Sequence, residues 1–169
     1  MKQIFVFDST PLMYLAKVYL LEKVLRLAEK NIIPQLVWEE VVQRGFLVGK
    51  EDASHVDLLI KKGLIGIDAI PLREEFLYNT HLSPPDRAVL IICKKHKGIL
   101  IADDAEIRKT ARIHGIEGHG SVYLLFLLLS QKRINKEEFK AALNSLVEKG
   151  WYCSIEFYTQ TIAELEKRS

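Results

Sequence analysis

The chemistry this sequence is equipped for lies in its acids at Asp8, Glu40, Asp86, Asp103 and Asp104. Asp8 follows the apolar run Ile4-Phe5-Val6-Phe7 and precedes Ser9-Thr10-Pro11, while Asp103 and Asp104 follow the apolar run Ile99-Leu100-Ile101-Ala102. Runs with no polar alternation read as strands buried on both faces, the condition of a parallel sheet. Ligands of open α/β sheets bind outside the carboxyl ends of the strands, so both acidic sites stand where chemistry is done. Glu40 sits beside Glu39 in a helix expected over Trp38 to Arg44, and Asp86 opens the helix that follows Ser83-Pro84-Pro85. Carboxylates gathered at one edge repel one another unless a divalent cation neutralises them. All-oxygen donors suit Mg²⁺ or Mn²⁺, and such ions serve the hydrolysis of phosphate esters. Each acid also has an ordinary use: Asp8 as a helix cap, Glu39 and Glu40 as first-turn acids, Asp86 as the partner of Ser83 in a capping box.

Positioning these groups requires alternating strands and helices. Pro11 to Lys30 carries apolar residues at helical spacing, as one long helix or two short ones. Ile32 to Val37, around Pro34, reads as a second strand, and the helix after it should end at Gly45. Gly45 to Asp52 is loop-like, Ala53 to Lys62 is an amphipathic helix, and Leu64 to Ile70 is a strand candidate. Arg73 to Tyr78 suits a short helix, and the Asp86 helix runs to about His96 before Lys97-Gly98. After the strand ending at Ala102 come a helix from Asp104 to His114, a short strand beginning at Ile116, and a very apolar helix from Ser121 to Leu129. Asn135 with Glu138 caps a helix to Lys149, and Ile155 to Lys167 is the last.

The chain has 169 residues, 49% of them apolar. That is enough for one substantial core and most simply a single domain. No signal peptide is visible, because Asp8 interrupts the first apolar run. The later run Val122 to Leu129 falls well short of the roughly 20 residues needed to span a bilayer, so a protein with no membrane association is expected. Two widely separated cysteines, Cys93 and Cys153, and five histidines without ligand spacing argue against a disulfide scaffold or structural zinc, and point to a cytoplasmic protein. A net charge of +2 gives no global field for a polyanion. Lys94 to Lys97 and the Arg108, Lys109, Arg112 set read as solvated helix faces. His119 reads as a loop residue, and Trp151, Tyr152, Phe157 and Tyr158 as packing groups.

The order of these residues resembles that of PIN-domain ribonucleases, including the toxin halves of toxin-antitoxin pairs. The family's opening strand ending in Asp and Ser or Thr is similar to Val6-Phe7-Asp8-Ser9-Thr10, and its helical acid is similar to Glu40 in Trp38-Glu39-Glu40-Val41. Its Asp at the start of a central helix resembles Asp86-Arg87-Ala88-Val89, and its last strand, usually ending in Thr-Asn-Asp, resembles Ile101-Ala102-Asp103-Asp104. Ala102 and Asp103 depart from that ending: a hydroxyl is lost and a carboxylate gained. The tail from Leu124 to Gly150, with Gly150-Trp151-Tyr152 after it, looks like the subgroup extended by extra helices.

The resemblance implies a three-layer α/β/α fold with a central parallel sheet of about four or five strands. Residues 1–169 would form one PIN-like domain, with 121–169 as a helical extension packed on it. It implies catalytic roles for Asp8, Glu40, Asp86 and Asp104, with Asp104 the expected counterpart of the family's last acid and Asp103 the second candidate. Asp8, Asp86, Asp103 and Asp104 are the implied ligands of Mg²⁺ or Mn²⁺; Ser9 and Thr10 are expected to meet nucleic acid, as are Arg87, Arg108 and Lys109, each within a turn or so of one of these acids on its helix. The implied function is metal-dependent cleavage of single-stranded RNA, as the toxin blocked by an antitoxin protein; the alternative is a catalytically silent module that binds RNA or protein. A homodimer is expected from the apolar surface of the run Val122 to Leu129 and the helices after it. A haloacid-dehalogenase-like phosphatase would need a second Asp where Thr10 stands, and a phospho-receiver domain would need its acidic pair after the first strand.

Overall fold

The structure is a computed structural model and describes residues 3–70 and 81–168. The helix expected over Arg73 to Tyr78 lies outside the described residues. Five strands form one parallel sheet in the order β3-β2-β1-β4-β5: β1 Ile4–Phe7, β2 Lys30–Pro34, β3 Gly66–Asp68, β4 Ile99–Ile101 and β5 Gly118–His119. Phe5, Val6 and Phe7 are wholly buried, as a central strand covered on both faces requires. Helices α1 (Ser9–Lys17) and α2 (Leu21–Leu25) connect β1 to β2. The run α3 (Gln35–Trp38), a π-helical turn (Glu39–Gln43), α4 (Arg44–Leu47) and α5 (Glu51–Lys61) connects β2 to β3. Helix α6 (Pro84–His96) precedes β4, and α7 (Ala105–Ile113) joins β4 to β5. The order steps outward from β1 through β2 to β3, then reverses to β4 and β5. Right-handed crossovers therefore set α6 and α7 on the opposite face from α1 and α5, giving three layers with a switch point between β1 and β4.

Local chemistry explains the boundaries. Ser83 and Asp86 form the expected capping box at the start of α6, and Asn135 with Glu138 forms another at the start of α9 (Lys136–Glu148). Pro34 closes β2 and serves as the N-cap of α3, so the strand expected to reach Val37 stops three residues earlier. Gly45 does not end its helix. A Cβ there would lie 2.6 Å from Ala53 Cβ, so Gly45 is the point where α4 is held against α5, and the turn is confined to 48–50.

Helix α8 (Ser121–Ser130) buries Val122, Leu124, Leu125 and Leu128 within this chain, and Tyr123, Phe126, Leu127 and Leu129 pack on the same core. The apolar run thus closes the chain's own interior against α2 and α9. Helix α10 (Ile155–Lys167) buries only Thr161 and Leu165 and is tied to its surroundings by the Lys140–Glu166 ion pair.

Gly45→Ala tests the α4–α5 contact. Alanine gains up to about 1 kcal/mol of helix propensity, but the clash is between backbone-anchored carbons that no rotamer relieves, and overpacking costs about 1–3 kcal/mol. Urea unfolding should show a lower midpoint at unchanged slope; a higher midpoint would mean the helices separate freely.

Candidate active site

The site is built on the ends of β1 and β4. Asp8 N–H donates to Ile101 O at 2.9 Å, which locks the two strand ends together. Phe7 is in register with Ile101, so Asp8 and Asp103 leave the sheet on adjacent strands at the switch point. Asp8 is 6% exposed and no side chain caps α1 through it, so the capping role open to it from sequence is not the one it takes. Its carboxyl is pushed up from 3.8 to about 7, chiefly by burial and then by the charges of Asp86, Glu40 and Asp103, against a lowering backbone hydrogen bond from Ser9.

The three neighbouring acids are each held by a different device. Asp86 stands at the third position of α6, where its Oδ2 accepts from the Ser83 N–H and hydroxyl at 3.2 and 2.6 Å. The capping box is thus real and also aims the acid; the structural and chemical uses coexist. Glu40 comes from the π-helical turn, whose wider winding shifts side chains out of α-helical register and recurs at functional sites. Its Oε2 accepts from Ser9 Oγ at 2.7 Å. Asp103 Oδ1 accepts from the Ser121 N–H at 2.6 Å, and Oδ2 from Ser121 Oγ at 2.7 Å and Trp151 Nε1 at 2.9 Å. Gly120 is required beside it, since a Cβ there would come 2.9 Å from Asp103 Oδ1.

Asp104 is disposed differently. Its Oδ1 accepts from the Glu106 and Ile107 N–H groups at 2.7 and 3.3 Å, so it caps α7, exposed to solvent, and it is not among the charges that act on Asp8. The acids brought together around Asp8 are therefore Glu40, Asp86 and Asp103. Of the groups expected to meet nucleic acid, Ser9 is engaged with Glu40 and Thr10 is half-buried in the first turn of α1. Arg87 has a buried Nε without a hydrogen-bond partner. Arg108 Nη1 donates to Ala102 O at 2.7 Å, and Lys109 is exposed beside Arg112 on α7. Ser121, Trp151 and Gly120 carry Asp103 and were not legible as site residues. The one hint was the Gly118-His119-Gly120 loop immediately before an apolar helix.

Among the described residues no three His, Cys, Asp or Glu side chains stand ready to enclose an ion. The donor chemistry nevertheless fits a hard divalent cation in kind, because the gathered groups are carboxylates, and Asp8 is lifted first by burial and then by the charges of the others. Waters would complete the shell of such an ion, as Mg²⁺ generally requires.

A parallel sheet in this order, with acids at its switch point, is a three-layer α/β domain whose acids stand where such sheets bind ligands. The family model DUF3368, a PIN domain, matches residues 4–167, and the chain belongs to that family. PIN domains are generally divalent-metal-dependent nucleases. A PilT N-terminus domain protein from the archaeon Sulfolobus solfataricus P2 shares the fold, with a TM-score of 0.54 at 16% identity over 79% of this chain and 97% of that one. A domain of a functionally unknown protein from Methanocaldococcus jannaschii DSM 2661 aligns with a TM-score of 0.47 at 18% identity, covering 70% of this chain and 90% of that one. No curated protein matches the sequence. No described helix is long and apolar enough to cross a membrane.

Asp8 makes stability depend on pH. Its folded pKa lies above the unfolded value, so between about 4 and 7 the folded state holds a proton that the unfolded chain has released, and stability falls as pH rises through that window. Thermal unfolding in EDTA should show this decline, and Asp8→Asn should flatten it. An equally steep decline in the variant would assign the effect to other groups.

Proposed function

We propose that this PIN domain is a Mg²⁺- or Mn²⁺-dependent endoribonuclease that cuts single-stranded RNA at the edge between β1 and β4. The observation that carries this reading is the convergence of Glu40, Asp86 and Asp103 on a buried Asp8 whose strongest electrostatic neighbours are all negative. When bound, the divalent ion supplies Lewis acidity toward the scissile phosphate and the water that attacks it.

The residues divide the remaining work. Asp8 and Asp86 are the acids with oxygens free to hold the ion. Asp103 has three of its roughly four acceptor sites filled, so it contributes one lone pair and a fixed negative charge. Ser9 holds Glu40 through Oε2, which leaves Oε1 to accept a proton from the attacking water. Asp104 has a secondary role in this reading, as the cap that starts α7 and so orients Arg108. Arg108 and Lys109 then meet the RNA phosphates, and Arg87, its Nε unpaired, is a third cation for them. We extend the same reading to a protein partner that blocks the edge by bringing an Arg or Lys to the carboxylates. Pairing into a homodimer would need surfaces other than α8, which is covered from within.

Pure protein with Mn²⁺ should cleave unstructured RNA, Asp8→Asn should lose at least about a hundredfold in rate, and EDTA should stop both. Cleavage that survives Asp8→Asn would exclude this site. No cleavage by folded native protein would leave a silent PIN module that binds RNA or protein. As the toxin of a pair, the native chain expressed alone should slow its host's growth and Asp8→Asn should relieve it; equal growth would remove the toxin role and keep the nuclease.

A further inference from the structure

Next to the acids lies a cavity of about 510 Å³ that the proposed reaction does not use. Asp103 belongs both to its lining and to the acids that act on Asp8, so the cavity adjoins the acidic cluster. Six of its lining residues carry rings. The His119 imidazole lies flat on Tyr123, with centroids 3.6 Å apart and planes 7° from parallel, and Trp151 meets Phe157 edge to face at 6.4 Å. Trp151 is buried at 6% exposure, but Phe157 is 44% exposed and Tyr152 is 87% exposed at the mouth. Rings left in water beside a cleft form an adhesive surface for a flat partner. Arg108 also lines the cavity, and its guanidinium is fixed there by Ala102 O.

We infer that this cavity, bounded by His119, Tyr123, Trp151, Tyr152 and Phe157, is a stacking subsite for one nucleobase of a single-stranded RNA whose backbone crosses the acidic edge. The inference rests on the nuclease reading for the identity of the chain that enters. Three features select a base over a protein segment. The walls offer ring faces, on which any base stacks regardless of sequence. Arg108 places a cation at the rim, where the phosphate next to a stacked base would lie. The single acid in the lining, Asp103, is turned to Ser121 and Trp151, so it is already supplied with donors. The volume also falls within the range that takes a nucleoside. Tyr152 and Phe157 thereby hold the strand whatever its sequence, and the cut falls near the held base.

The test compares two fluorescent oligomers of equal length, one of single-stranded RNA and one of the same ribose-phosphate chain without bases. Anisotropy is read with Asp8→Asn protein in Mg²⁺, so that binding is seen without cutting. The base-bearing oligomer should bind on the order of tenfold more tightly. Tyr152→Ala should lower that affinity by roughly three- to tenfold, leaving the base-free oligomer and the salt dependence unchanged. Tyr152 is mostly in solvent, so this change does not threaten the fold. Phe157→Leu, which keeps the packing on Trp151, should act in the same direction. Equal affinity for the two oligomers, equal losses on both in Tyr152→Ala, or no binding of either by folded protein would overturn the subsite, the first of these leaving the cleft to a protein segment. Cleavage is scored separately on the otherwise native chain. RNA that is cut without base preference in binding removes the subsite and keeps the nuclease, whereas base-dependent binding without cleavage keeps the subsite and removes the nuclease.

Discussion

A carboxylate buried at the end of the central strand, with further acids around it, is the constraint on which this structure turns. Asp8 ends the central strand, is almost shut off from water, and faces three further acids, so its charge is opposed by both burial and its neighbours. The fold holds it there regardless. Parallel pairing on both sides fixes β1, and the Asp8 N–H bond to Ile101 O fixes its end. Gathering like charges at the expense of stability is a common mark of functional sites, and it is what makes this edge the candidate site.

The neighbouring acids show how closely structural and chemical uses can overlap. Asp86 belongs to a capping box and to the site at once, because a carboxylate has two oxygens and the cap takes one. Asp103 and Asp104 are adjacent in sequence and have different surroundings. Strand β4 ends at Ile101, the chain bends at Asp103, and Asp104 is already the N-cap of α7. One therefore turns toward Ser121, Trp151 and the acidic edge, while the other turns to the first N–H groups of α7. Gly120 leaves the space that Asp103 occupies.

The sheet was legible because its evidence is local. Ile4 to Phe7 and Ile99 to Ala102 are short unbroken apolar runs, each stopped by an acid, and their length suits a buried parallel strand better than a helix. The helix caps at Ser83 and Asn135 were legible for the same reason, as patterns spanning three residues. Gly45 misled because a glycine that ends a helix and one that lets two helices touch look alike without the partner, Ala53. The choice between Asp103 and Asp104 depended on Trp151, 48 residues away in sequence, and no local pattern encodes that contact. By sequence Trp151 is an ordinary packing group. Its ring is buried, but its indole N–H orients an acid, and Tyr152 beside it is in solvent. The unbroken apolar run of α8 suggested surplus surface only because the helices that cover it, α2 and α9, come from distant parts of the chain.

The central claim is that a divalent cation relieves the repulsion around Asp8 and that Asp103, not Asp104, belongs to its environment. The most direct measurement is the shift in thermal midpoint on adding Mn²⁺ to EDTA-treated protein, made on the native chain and on Asp103→Asn and Asp104→Asn in parallel. The account predicts a rise of several degrees in the native chain and in Asp104→Asn, and a rise at least halved in Asp103→Asn. No Mn²⁺ shift in the native chain, or a shift lost in Asp104→Asn and kept in Asp103→Asn, would contradict it.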